Sequence, residues 1–348
     1  VSTHLHIRHV NLARGFRGGE RQTVLLILAL AAHGIEQSLV CRPDSPMREE
    51  LNGLQTLTFI STTHPLAGHF CGRRADLVHA HEARAVHWAW LHRQLRRTPY
   101  LLTRRVPQPV RDKPFNRRTY GDAATAVAIS SPIESHLRER HWCPVERIPS
   151  ALSHLPRHAV IGETLQERFS GRFVVGHVGA LVDRHKGQRL IIEAARQLRH
   201  EHPDLLFVLL GEGEDGEALR EESRDLDNVL WEGFQPHVGD YLAAFDLFVF
   251  PSRNEGLGST LLDAMDAGVP IIASRVDGIP DIVIDGRSGV LIPPDDARAL
   301  SEAIVDLRHD PARRTRLVGG ARQRLAEFTP EAMGETYLTL YQRLLAKA

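Results

Sequence analysis

The chain reads as an α/β protein built from two consecutive parallel-sheet domains. Three observations say so. It has 348 residues, more than one hydrophobic core usually carries, which argues for about two domains of roughly 150 residues. Short β-type runs alternate with helical stretches, as parallel α/β layers require. The alternation also restarts halfway, after a stretch without period.

In the first half the expected strands are His4–Val10, Gln37–Cys41, Leu54–Ile60, Asp76–Ala80, Tyr100–Arg104 and Thr125–Ile129. An amphipathic helix over Glu20–His33 stops at Gly34. Pro149 to Gly171 mixes Pro, Ser, His and Gly and reads as the linker. In the second half the expected strands are Phe173–Val178, Leu205–Leu210, Val229–Trp231, Leu247–Phe250 and Val269–Ala273. Two open sheets in succession imply a cleft between them, with ligands at the carboxyl ends of strands.

Composition removes several function classes. Lys+Arg 43 balances Asp+Glu 43, so the chain is not a strongly basic nucleic-acid binder. The cysteines, Cys41, Cys71 and Cys143, form no CxxC pair and no disulfide framework. A reducing cytosol fits them. The longest clean apolar run, Val24 to Ala32, falls far short of the ~20 residues that span a bilayer. VSTHLHIRHV lacks the apolar core of a signal peptide. The expected place is the cytoplasm, with room for peripheral contact at the inner membrane.

Two tempting motifs fail on physics. Gly211, Gly213 and Gly216 spell GxGxxG after the strand LLFVLL. A dinucleotide loop must offer bare N–H groups to a pyrophosphate, whereas this one carries Glu212, Glu214 and Asp215. It reads as a tight turn before an acid-rich helix start. Asp225-x-Asp227 resembles a metal-binding pair but sits in the polar stretch RDLDN, and reads as a solvated turn. No metal site is expected.

The informative stretch runs from Pro251 to Val283, PSRNEGLGSTLLDAMDAGVPIIASRVDGIPDIV. It follows the strand DLFVFP with Glu255, Gly256, Leu257 and Gly258, then a helix start at Ser259 or Thr260, then Asp263. A glycine-rich loop feeding a helix N-terminus is a natural anion seat. Glu255 can accept hydrogen bonds from sugar hydroxyls there, and Asp263 suits a second polyol such as a ribose. Either acid alone could equally be a surface carboxylate. In VGALVDRHKGQ, Lys186 stands at a strand end before Gly187 and can reach a diphosphate as a point charge.

Glu255, seven residues, then Asp263 resembles the E-x7-E signature of glycosyltransferase family 4. AGVPIIAS, GIPDIV and GEGEDGEALREE are similar to the same family, and the resemblance covers nearly the whole second half. It implies the GT-B fold: two Rossmann-like α/β domains facing across a cleft. The acceptor-side domain would be 1–152, with a helix over 332–348 packing back on it, and the nucleotide-sugar domain 153–331. In the family the first acid contacts the donor sugar and the second the ribose. Asp263 stands where Glu is usual, and Leu257 where Phe is common. The family's Arg before the Lys is missing at Ala180 or Leu181; Arg184 is the nearest replacement. Gly18 and Gly19, in RGFRGGERQ, resemble the family's GG loop, and His81, in DLVHAHEARA, its strand-end His near the donor sugar. His79 and His81 are too few for a metal site, and His79 reads as packed within its strand.

The expected reaction is transfer of a sugar from a nucleotide-diphosphate donor, UDP-sugar favoured, with retention, no essential metal and no further cofactor. Lys186 and loop amides would stabilise the departing diphosphate, with Arg184 as the further candidate cation. The acceptor expectation rests on charge. Thr103 to Tyr120 holds Arg104, Arg105, Arg111, Lys113, Arg117 and Arg118 against Asp112 alone. Pro107, Pro109 and Pro114 are read as keeping these charges on a loop, with Phe115 and Tyr120 interleaved. That loop would grip a phosphorylated glycolipid, a bacterial lipopolysaccharide core first, or anionic inner-membrane lipid; a solvated loop without a partner stays open. Alternatives of the same fold are a nucleotide-sugar epimerase, a sugar phosphorylase, or a noncatalytic sugar-nucleotide-binding protein.

Overall fold

The structure is a computed structural model that describes residues 5–64 and 66–347. His4 and Ala348, the outer ends of the expected first strand and last helix, lie outside the described residues. The chain forms two compact units, residues 1–151 with 328–348, and residues 152–327.

The first unit holds strands β1 (His6–Val10), β2 (Glu36–Cys41), β3 (Leu57–Ser61), β4 (Leu77–Ala80), β5 (Tyr100–Arg104), β6 (Thr125–Ala128) and β7 (Val145–Arg147). They form one sheet in the order β3-β2-β1-β4-β5-β6-β7, all parallel. Residues of β1, β4 and β6 are buried throughout, because helices cover both faces of a parallel sheet. The strand order reverses between β1 and β4, and such a switch point is where ligands bind in open α/β sheets. The C-terminal helix Pro330–Ala346 packs on helix Gly18–Ala32, close enough that a Cβ at Gly334 would meet Ala29. Thr329 caps it by accepting from Ala332 N at 3.1 Å, a contact of about 1 kcal/mol.

The second unit holds β8 (Phe173–Val178), β9 (Leu205–Leu210), β10 (Val229–Gly233), β11 (Leu247–Phe250), β12 (Ile271–Ser274) and β13 (Val290–Ile292). The order is β10-β9-β8-β11-β12-β13, again parallel, with its switch point between β8 and β11. Its core gathers Val175, Ile191, Phe207, Leu247, Ile272 and Ile304 around the sheet.

Several expectations are corrected here. Residues 149–171 are not all linker, since Ala159–Arg168 is a helix. The first helix starts at Gly18, not Glu20, so the glycine pair forms its first turn. Pro114 does not break the basic stretch: it opens helix Pro114–Gly121, where its fixed φ and missing N–H cost nothing at the first position. Among the described residues, no helix is long and apolar enough to cross a membrane.

Candidate functional site

In the second unit, two loops leave the sheet at its switch point. After β8, a short helix Asp183–Lys186 ends at Gly187, whose φ of 68° and close approach to the Pro251 carbonyl leave no room for a Cβ. After β11 come Pro251 to Gly258, then helix Ser259–Ala267. The loops are tied by backbone, Arg253 N donating to the His185 carbonyl at 2.8 Å. Arg253 also donates to Asp183 Oδ2 at 2.9 Å, and Arg189 to the same carboxylate at 3.0 Å. Burial works to raise the Asp183 pKa, yet the hydrogen bonds from Arg189 and Arg253 hold it below its ordinary value.

This frame brings Lys186 and Glu255 together. Their side chains form an ion pair, each largely buried, and the Lys186 ammonium lies 5.1 Å from the Phe250 ring centroid. Glu255 N donates to Asp277 Oδ2 at 2.9 Å. Gly258 caps helix Ser259–Ala267 with φ of 86°, in the left-handed region that suits glycine. Leu257 is buried. Asp263 Oδ1 accepts from Ser153 N at 2.9 Å. Arg184 is turned to Glu214, 2.9 Å away in an exposed pair. Beneath the loops His177 donates from Nδ1 to the Val249 carbonyl at 3.0 Å, and burial pushes its pKa down to about 4.

The glycines of GEGEDG have a packing reason. A Cβ at Gly211 would collide with the Gly179 carbonyl, and one at Gly213 with the backbone of Leu181. Leu181 N donates to the Glu212 carbonyl at 3.0 Å, and Asp183 N to Asp215 Oδ2 at 2.8 Å. Asp225 pairs with Arg196 at 3.3 Å and Arg199 at 3.4 Å.

In the first unit, His81 follows β4 and is buried. Its neighbour Glu82 caps helix Ala83–Arg96, accepting from Ala85 N at 2.7 Å. His79 is buried, its Nδ1 2.7 Å from Tyr341 Oη and its Nε2 2.7 Å from Thr103 Oγ1. His9, His79 and His81 lie close enough to be weighed as a metal cluster. Both nitrogens of His79 and of His9 already have protein partners, so they are not free ligands.

The basic stretch is not one surface. Arg105 turns inward: its Cδ lies 3.6 Å from a Cβ placed on Gly19, and its guanidinium donates to Ser150 Oγ at 3.3 Å. Arg104 donates to the Gln108 carbonyl at 2.6 Å. Tyr120 is buried while Phe115 is exposed. Arg111 and Lys113 are exposed. Arg117 pairs with Asp112 at 2.5 Å, and Arg118 stacks 5.6 Å from the Trp90 centroid.

Asp277, which holds the Glu255 backbone, was not singled out from sequence, although Asp-Gly in RVDGIP is a turn signal. Nor were His9 and Gln37, which touch the His81 cluster only through strand register.

Residues 172–310 match the family model described as "Glycosyl transferases group 1". The chain is 29% identical over 350 residues to the lipopolysaccharide core biosynthesis glycosyltransferase LpsD of Rhizobium meliloti (strain 1021), covering 99% of this chain and 100% of the relative. It is 28% identical to LpsE of the same organism, with 93% and 95% covered. Among solved structures, Anabaena Alr3699/HepE in complex with UDP and glucose is similar in fold, with TM-score 0.82 at 16% identity, covering 98% of this chain and 100% of that one.

Proposed function

We propose that this glycosyltransferase of the GT-B fold transfers a sugar from a UDP-sugar to a phosphorylated glycolipid acceptor of the lipopolysaccharide-core type, with retention, as glycosyltransferase family 4 does. The observation that carries the reading is the Lys186–Glu255 pair at the switch point of the second sheet, beside the N-terminus of helix Ser259–Ala267. UDP in the Anabaena protein and the two Rhizobium relatives support the donor and acceptor classes.

On this reading Lys186 exchanges its carboxylate partner for phosphate oxygens, and the loop amides of Gly256, Leu257 and Gly258 share the charge. The bond from the anomeric carbon to the diphosphate oxygen breaks, and its electron pair leaves with the diphosphate. The acceptor hydroxyl bonds to that carbon from the same face, and its proton passes to the departing diphosphate. Charge stabilisation of the leaving group is the main demand on the protein, and the proposed step uses no metal. Glu255 accepts from sugar hydroxyls, Asp263 from the ribose, and His81 meets a sugar hydroxyl. Gly18 and Gly19, in the first turn of their helix, offer N–H groups to substrate phosphate. Arg184 adds charge if it leaves Glu214. Arg111 and Lys113 attract anionic lipid at the membrane surface.

The test is incubation with α-configured UDP-sugars and a lipopolysaccharide core acceptor, reading the product linkage by NMR. An α-linkage is the expected outcome. A β-linkage overturns retention, an epimerised nucleotide sugar makes the chain an epimerase, and binding without turnover overturns transfer.

A further inference from the structure

The centre of the first sheet contains a hydrogen-bond chain that fixes where one proton sits. β1 and β4 are neighbours with His9 opposite His79, and the ring centroids of His9 and His79 lie 5.2 and 3.9 Å from that of His81. The chain is anchored at a backbone carbonyl. Gln37 Nε2 donates to Ile27 O at 3.0 Å; a carbonyl only accepts, so the amide has one possible orientation. Gln37 Oε1 therefore faces His9 Nε2 at 3.0 Å, and the hydrogen between them belongs to His9.

Burial pushes the His9 pKa down to about 3, so the ring is neutral and carries only that one N–H. His9 Nδ1 is then an acceptor. It lies 2.9 Å from His81 Nε2, which must donate. His81 is also neutral, held well below its ordinary pKa first by burial and then by His79, His9 and Arg105. Its Nδ1 is left as a bare lone pair, buried and without a hydrogen-bond partner, on a residue 2% exposed. The neighbouring Arg105 keeps its own Nε–H buried and without an acceptor. His81 thus offers one acceptor, which a hydroxyl satisfies by donating. A buried acceptor with no partner is costly, and a ligand hydroxyl removes that cost.

We propose that Gln37 and His9 are positioning residues that lock His81 as the Nε2–H tautomer, so that His81 Nδ1 accepts a hydrogen bond from a hydroxyl of the sugar substrate. The proposal rests on the sugar-transfer reading for its ligand, not for its tautomer. It makes His81 a neutral acceptor, neither a cation nor a proton donor to the substrate.

Nitrogen-15 NMR of histidines in the full chain reads the tautomer without substrate, with His81 assigned as the signal lost in His81→Asn. The expected pattern at neutral pH is a protonated Nε2 and a bare Nδ1 on His81. Gln37→Leu should give mixed tautomers, as should His9→Leu. His9→Asn, whose amide oxygen can stand in for Nδ1, should restore the pattern. A wild-type His81 with Nδ1–H overturns the relay even if the leucine variants fail to fold; so does an unchanged tautomer in a folded His9→Leu. Saturating UDP-glucose, confirmed by calorimetry, should shift the His81 Nδ1 resonance while UDP does not; no shift overturns the hydroxyl contact. In transfer, His9→Leu should lower kcat/KM by roughly tenfold, the value of one neutral hydrogen bond, with recovery in His9→Asn.

Discussion

At the switch point of the first sheet, β1 and β4 run into a buried interior of uncharged rings and hydroxyls beside the Arg105 guanidinium: His9 bonded to His81, and His79 bonded to Tyr341 and Thr103, with Thr103 in turn bonded to Tyr337. At the corresponding place in the second sheet, the loops after β8 and β11 carry Lys186, Glu255, Asp183 and Arg253 in ion pairs. The strand order around the switch point is the same in both sheets. Topology therefore sets where a ligand can bind, and the side chains set which part of it is bound. The charged edge suits a diphosphate, and the neutral edge suits hydroxyls.

The sharpest way to break the comparison is to discharge the second unit. Lys186→Ala and Glu255→Gln should each lose roughly 100- to 1000-fold in kcat, about 3–4 kcal/mol of transition-state stabilisation. A melting curve accompanies each, because removing one partner of this largely buried pair leaves the other charge uncompensated; near-normal turnover in a folded variant would remove that residue from the site. Next is Asp263→Ala, which should weaken UDP binding by about 1.5–3 kcal/mol if a charged hydrogen bond to ribose is lost. Its contact with Ser153 N makes a melting curve the necessary companion, and a lower Tm with unchanged Kd would make Asp263 structural only.

The third distinction is acid sensitivity. Burial lowers the pKa of His9 and His92 to about 3, and those of His79 and His81 well below normal. In the second unit only His177, at about 4, is comparably shifted among the described residues. The unfolded chain binds more protons at these sites, so stability rises with pH. The contribution is complete above about pH 6.5 and is lost as pH falls toward the folded values, up to about 2 kcal/mol per histidine by pH 5. Hydrogen exchange should show β1, β4 and β5 opening before β8 and β11 as pH falls; the reverse order would contradict the assignment. The smallest effect expected per residue is at the membrane. Replacing Arg111, Lys113, Arg117 and Arg118 by Ser should raise acceptor KM about fivefold per effective charge, near 1 kcal/mol each, and weaken binding to phosphatidylglycerol vesicles. Unchanged KM and vesicle binding would leave this stretch merely solvated.

Much of this was legible in the sequence because it is local. Lys186, Glu255 and the glycines around them follow strands directly, and a strand end followed by Gly and a helix start is readable within a dozen residues. β7 and β13 escaped notice because three residues are too few to show alternation. The helix at Pro114 was hidden because a proline that opens a helix looks, in sequence, like one that ends it. The His81 relay was out of reach for a different reason. Gln37, His9 and His81 meet only through the pairing of β1 with β2 and β4, and that register is not written in any one segment.

The measurement that bears most directly on the account is calorimetric titration of UDP into the wild type, Lys186→Ala and His9→Leu, each shown to be folded. The account predicts a Kd weakened at least tenfold by Lys186→Ala, the scale of one charged hydrogen bond, and left at the wild-type value by His9→Leu. Weakening by His9→Leu with no effect of Lys186→Ala would contradict it, because the nucleotide diphosphate would then depend on the neutral edge and not on the charged one.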